Sequence, residues 1–198
     1  MHASHRAFLV FAAATAALAS SPARADSAPD DSYSRSHFYI GFGGAGVAVL
    51  DQSGPHTFLQ HGGGFDLFLG GRLGKWTALE LNWQPSFHEN QKDIFGNNIP
   101  TIGLDAITLD VKIFFLHGFV QPYFTAGVGA YLLGDPFRPN AEGPGYQIGG
   151  GIDFWLGHHV TLGIKLQYRG VELYDFDRFG DNTYVSLFNG EGNLGIHF

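Results

Sequence analysis

The chain has 198 residues, 44% of them hydrophobic but only 15% charged, with 29 Gly, 19 Phe, 10 His and no Cys. Charge lies well below the quarter usual for a soluble domain and Gly at about twice its usual 7%, which excludes disorder, a coiled coil and a disulfide scaffold. A net charge of −7 argues against duplex nucleic acid as a partner, and the lack of thiols removes thiolate metal centres and anchoring through a lipid-modified cysteine.

Residues 1–6 form a short basic segment, and residues 7–18 an apolar run too short to cross a bilayer as a helix. Ala23-Arg24-Ala25 then supplies a small-x-small cleavage site. Residues 1–25 are therefore expected to be a signal peptide, which makes the chain an exported one. Residues 26–36 are polar and acidic, and are expected to form a flexible periplasmic tail. From His37 to the end the hydrophobic period is two, and residues 37–198 are expected to form one barrel domain.

Eight strand candidates follow, at 37–49, 62–73, 76–87, 101–115, 119–133, 145–156, 160–170 and 183–198. Most are near or a little above the 9–11 residues that cross a bilayer on a tilt. Short links at Gly74-Lys75, Leu116-His117-Gly118 and Gly157-His158-His159 alternate with longer ones at about 50–61, 88–100, 134–144 and 171–182. Short turns at one end and long loops at the other predict an all-β fold: an eight-stranded antiparallel up-and-down transmembrane β-barrel.

The third, fourth, sixth and seventh segments can be split by parity, the sixth with Ile148, Ile152, Phe154 and Leu156 against Gln147, Gly149, Gly151 and Asp153. Ile107, Leu109, Val111, Ile113 and Phe115 oppose Thr108, Asp110 and Lys112. Thr77, Leu79, Leu81 and Trp83 oppose Ala78, Glu80, Asn82 and Gln84. Val160, Leu162, Ile164, Leu166 and Tyr168 oppose Thr161, Gly163, Lys165, Gln167 and Arg169. The first segment is too rich in Gly for its faces to be assigned. A soluble barrel of the lipocalin kind alternates too, with its apolar face inward. Two features decide against it. The polar face is crowded with Gly127, Gly129, Gly149, Gly151, Gly163, Gly195, Thr125 and Thr161, which suits a narrow interior better than a water-facing surface. The apolar face carries Trp76, Trp83, Tyr168, Tyr184 and Phe198 towards its ends, as an interfacial girdle does.

With the polar face inside, Arg72, Glu80, Lys112, Asp153, Lys165 and Glu191 fall within the lumen near the short-turn end or the middle, with Asp66, Asp110 and Arg169 on the same face. Opposite charges in so narrow a space should pair, and a salt-bridge network that plugs the lumen is expected. A structural plug is favoured over a gate or a catalytic cluster, because ion-pair networks perturb titration without doing chemistry.

These strands resemble the small outer-membrane β-barrel proteins of the OmpA/OmpX type. The likeness is carried by Gln121-Pro122-Tyr123-Phe124-Thr125-Ala126-Gly127-Val128-Gly129, by Gly149-Gly150-Gly151-Ile152-Asp153 with the strand after it, and by the ending Leu194-Gly195-Ile196-His197-Phe198. The resemblance implies that Leu194, Ile196 and Phe198 form the signal read by the barrel-insertion machinery, with Gly190 and Gly192 departing from the pattern. It implies location in a Gram-negative outer membrane among lipid and lipopolysaccharide, and it says little of activity, since one fold hosts many functions.

Three motifs invite other chemistry. Gly41-Phe42-Gly43-Gly44-Ala45-Gly46 fits GxGxxG but is followed by no helix, so it reads as a Gly-rich strand. His56, His61 and His88 lie in or beside long loops without the ligand spacing of a zinc site, and no metal or cofactor is expected. Lipid A deacylases carry His-x-Ser-Asn on the penultimate strand, where this chain reads Gln167-Tyr168-Arg169-Gly170, so that nucleophile and base are missing. The acid–aromatic alternation between Glu172 and Asn182 suits surface contact. The sequence therefore points to a monomeric, non-enzymatic barrel that acts through structure or through loops 88–100 and 171–182, with a narrow solute pore and a lipid A-modifying enzyme as the alternatives.

Overall fold

The computed structural model describes residues 37–54, 59–90, 102–135, 138–175 and 182–198. Eight strands follow in chain order: β1 (Phe38–Ser53), β2 (Leu59–Arg72), β3 (Thr77–Asn90), β4 (Ile102–Phe114), β5 (Val120–Asp135), β6 (Arg138–Trp155), β7 (Val160–Asp175) and β8 (Asn182–His197). Each pairs antiparallel with its successor, and β1 pairs with β8 to close the ring. The fold is the eight-stranded antiparallel barrel expected from the alternation. Residues 1–36, with the expected signal peptide and tail, lie outside the described residues.

Strand ends at the short turns match the expected ones within a residue or two. At the opposite end the strands run further than composition suggests. β7 continues to Asp175 instead of stopping at 170, and β6 starts at Arg138 instead of 145. The loop expected at 134–144 is thus a ladder, with Leu132 opposite Glu142, Leu133 opposite Ala141 and Asp135 opposite Arg138. Pro139 and Pro144 mark that stretch as a loop in the sequence. A bulge between Leu133 and Gly134 shifts the register beside Pro139, and the β6–β7 pairing skips Gly143 and Pro144, so the missing donor of Pro144 disrupts no bond there. At the short-turn end Gly157 takes φ 114°, a backbone state that lets the β6–β7 link reverse within four residues.

The pleat sorts the side chains as the parity predicts. Leu81, Trp83, Ile107, Val111, Leu162, Ile164 and Leu166 point outward and are exposed, whereas Glu80, Asn82, Thr108, Asp110, Lys165 and Gln167 point inward and are buried. β1, unassigned from sequence, places Tyr39, Gly41, Gly43, Ala45 and Val47 inside and Phe38, Ile40 and Phe42 outside. A continuous outward belt of bare Phe, Leu, Ile and Val is incompatible with a water-soluble barrel and matches an acyl-chain environment. Among the described residues, no helix is long and apolar enough to cross a membrane; the crossing is made by strands.

Inward glycines give the charged side chains their room. A Cβ on Gly163 would lie 2.6 Å from the Asp153 carboxylate, and one on Gly127 would overlap that of Asp110. At Gly129 the obstacle is backbone, the Ile107 carbonyl, with the Thr108 Cα 2.8 Å away. Gly129→Ala is expected to cost about 1–3 kcal/mol in urea unfolding of the refolded barrel, the usual penalty of overpacking. A neutral result would mean that β4 and β5 are spaced more widely than this register requires.

Candidate functional site

The lumen is filled in three levels. At the short-turn end Lys112 Nζ lies 2.6 Å from Glu80 Oε2, whose oxygen also accepts from Tyr39 OH at 3.0 Å. The ammonium sits 4.6 Å from the centre of the Tyr123 ring, which adds cation–π attraction in a desolvated setting. Arg72 donates to Gln121 and lies 4.0 Å over the Phe114 ring. Asp153, half-buried, borders a void of about 10 Å³ with Arg72, Lys112 and His197.

In the middle, Lys165 Nζ bridges Asp66 Oδ2 at 3.1 Å and Glu191 Oε2 at 3.0 Å, and so ties β7 to β2 and β8. Asn193 donates to the other Glu191 oxygen at 3.0 Å. Beside this bridge Asp110 is fully buried and held by amides: Gln147 Nε2 at 2.6 and 2.7 Å, and Asn82 Nδ2 at 3.2 Å. Arg169 stands one step further along, donating to Gln84 and, at 3.3 Å, to Gln167.

The six lumen residues singled out from sequence all point inside, but they do not make one chain of ion pairs. Four of them pair in two separate groups, Lys112 with Glu80 and Lys165 with Glu191, and Asp66 joins the second. Among the described residues the ion pairs do not include Arg72 or Asp153. Arg72 is compensated by an amide oxygen and ring faces, since Phe114 rather than a carboxylate lies opposite its guanidinium. Sequence reasoning gave no weight to the amide layer of Asn82, Gln84, Gln147, Gln167 and Asn189, or to Gln121 at the short-turn end, although parity places each of them on the inward face.

Above the amides the lumen is mainly apolar. Val47, Leu59, Leu104, Ala106, Tyr131, Leu133, Ala141, Val171, Leu173, Val185 and Leu187 form one buried cluster at the long-loop end. Past Arg169 and Thr108 the inward positions are mostly apolar, with Ser86, His88 and Thr183 buried among them.

The remaining singled-out residues are dispersed. Leu194 is half-buried and Ile196 and Phe198 exposed, all on the outward face of the closing strand or just past it. Trp76, Trp83 and Tyr184 are exposed outward, and Tyr168 is half-buried with its hydroxyl 3.0 Å from Ser186 Oγ. The GxGxxG stretch lies wholly within β1. His56, residues 91–100 of one proposed contact loop and residues 176–181 of the other lie outside the described residues. His61 and His88 serve different partners: Val49 N donates to His61 Nδ1 at 3.1 Å, whereas His88 faces inward with Nδ1 on the Gln60 carbonyl at 2.7 Å and Nε2 on Ser86 Oγ at 2.9 Å. The Ser86–His88 contact has the form of a nucleophile and base, but the hydroxyl is also 3.0 Å from the Leu104 carbonyl and the imidazole is completely buried.

Solved structures share this architecture. OprG from Pseudomonas aeruginosa superposes with a TM-score of 0.64 at 14% identity, covering 86% of this chain and 99% of that one. Neisserial surface protein A gives 0.55 at 14% identity, with 81% and 97% coverage. Ail, the attachment invasion locus protein of Yersinia pestis, gives 0.51 at 14% identity, with 82% and 99% coverage. At such identities the likeness shows the fold alone. No curated protein matches the chain. The family model described as outer membrane protein beta-barrel domain matches residues 9–194, and with a closed eight-stranded barrel that exposes its apolar face and packs ions inside, the chain belongs to that outer-membrane family.

Proposed function

We propose that the chain is a plugged, non-enzymatic outer-membrane barrel whose role is structural and loop-mediated. It stands in lipid and lipopolysaccharide as a monomer, is exported by the segment 1–25 and is inserted through the signal at Leu194, Ile196 and Phe198. The carrying observation is the middle of the lumen, where Lys165 links three strands while Asp110 is walled in by amides. At the short-turn end the void of about 10 Å³ has room for a single water at most. A solute in transit would have to break both ion-pair groups and leave charges buried and unpaired, at a cost of several kcal/mol. The alternation of acids and aromatics from Glu172 to Asn182 is the surface offered to an extracellular partner, together with loop 88–100.

Catalysis is not favoured. An acyl-transfer site needs substrate room and oxyanion donors around the nucleophile, and Ser86 sits with a buried imidazole against apolar neighbours. Reconstitution in planar bilayers tests the plugged reading. The native protein is expected to stay electrically silent, and Glu80→Ala or Lys112→Ala to admit small, irregular currents at most. Stable unitary steps from the native barrel would overturn the plug and establish the pore alternative.

A further inference from the structure

The short-turn mouth of the lumen is covered by two imidazoles. His37 Nε2 lies 2.8 Å from His197 Nδ1, and His197 Nε2 lies 2.9 Å from Thr161 Oγ. The His197 ring lies tilted against Trp155, centroids 4.3 Å apart, and against Tyr39 at 5.0 Å. Its backbone is the last paired position of β8, opposite Tyr39 at the seam that closes the barrel, and its carbonyl meets His159 Nδ1 at 3.1 Å. This one buried side chain therefore joins β1, β6 and β7 above the void lined by Arg72, Lys112 and Asp153.

A hydrogen bond between two ring nitrogens needs one N–H and one lone pair. One proton can be shared across the pair, but when both rings are imidazolium every ring nitrogen carries hydrogen, and the facing N–H groups repel. The surroundings add to that repulsion. The charged and titratable groups facing His197 are His37 and Tyr39 from the β1 side, Arg72 from β2, Lys112 from β4, Asp153 from β6 and His159 from the link before β7. Among the described residues Asp153 is the nearby carboxylate outside the ion pairs, and Lys112 is held by Glu80. A second imidazolium thus enters a site that already carries two fixed cations.

We infer that His37 and His197 form an acid-sensitive lid, shut by their shared hydrogen bond and released when both rings are protonated. Release separates His197 from Trp155 and lets water into the void. The Lys165 bridge lies deeper and touches neither imidazole, so the histidine variants separate release at the mouth from titration of the bridge carboxylates. This device goes beyond the structural role proposed above and does not depend on the loops.

The test uses Trp76→Phe/Trp83→Phe protein, in which Trp155 is the single remaining indole, reconstituted in phosphatidylcholine vesicles. Acrylamide quenching is read at about pH 8 and about pH 2.5, far past the ordinary imidazole value, because the second proton must enter beside Arg72, Lys112 and the first imidazolium, and heat-modifiable gel mobility reports folding at each pH. Quenching of Trp155 is expected to rise several-fold on acidification and to reverse on neutralisation. His197→Gln, which keeps a hydrogen-bonding amide but no titration, is expected to abolish the acid step; His37→Gln, which leaves no second imidazolium to form, does the same and serves where the first variant does not fold. Asp153→Asn is expected to retain the step. An unchanged Trp155 in folded protein at acid pH, an acid step that persists in His197→Gln or His37→Gln, or its loss in Asp153→Asn would each overturn the lid.

Discussion

Replacing Lys165 with Met is expected to remove about 3–5 kcal/mol from the unfolding free energy of the barrel, the cost of breaking a buried pair from one side. Among the described residues Lys165 is the single cation within 4 Å of both Asp66 and Glu191, and its side chain and both carboxylates are almost wholly withdrawn from solvent. Truncation leaves two buried anions facing each other across the lumen. Lys112→Met is expected to cost less, because it orphans one carboxylate, and Glu80 keeps the Tyr39 hydroxyl at 3.0 Å. The triple variant Lys165→Met/Asp66→Asn/Glu191→Gln should regain much of the loss, since neutral groups of similar volume restore the balance. Urea unfolding in lipid vesicles reads each value from the midpoint at constant slope. A Lys165→Met loss below about 1 kcal/mol would place the bridge among solvent-screened pairs, and the plug with it.

The parity of apolar and polar residues made the barrel legible because a strand has a strict period of two and the two solvents differ sharply. Ile107 through Ile113 against Thr108 through Lys112 needs no tertiary information to be sorted. β1 resisted because Gly41, Gly43, Gly44 and Gly46 have no side chain to sort. What fixes its faces is the neighbour: the Phe68 ring occupies the space that a Cβ at Gly41 would fill, and Asn193 that at Gly43. Strand ends were misplaced at the loop end for a related reason. Pro139 and Pro144 are turn formers locally, yet a proline harms a ladder only where its missing donor is needed, and a register shift and a pairing gap relieve that need.

The lumen was legible in its residues and not in its partners. Which cation meets which carboxylate depends on the stagger between strands around the ring, which no single segment encodes. Lys165 and Glu191 are direct cross-strand neighbours, but Asp66 reaches Lys165 from β2 across the lumen. Asp110 has Glu80 as its cross-strand neighbour, an arrangement of like charges that amides from β3 and β6 make tolerable. The His37–His197 contact links the first described residue to the last strand, 160 positions apart, and only closure of the ring brings it about.

Leu109→Arg is expected to cost about 2–4 kcal/mol, the penalty for an arginine on the lipid face near the bilayer midplane. Leu109 points outward on β4 between Leu81 of β3 and Val128 of β5, both exposed, with Ile107 and Val111 before and after it on the same face. This neighbourhood offers a guanidinium no carboxylate, so the charge must reach for the interface along a long side chain or draw water inward. Thr125→Ser, on the buried inward face of β5, removes one methyl group and should cost no more than about 1 kcal/mol. The contrast separates the two ways an alternating barrel can be turned. With the apolar face in water, Leu109→Arg is a surface change within about 0.5 kcal/mol of neutral. Unfolding both variants from vesicles and from detergent distinguishes these cases. Equal tolerance of the two substitutions would reverse the facing, and with it the assignment of the ionic residues to the interior.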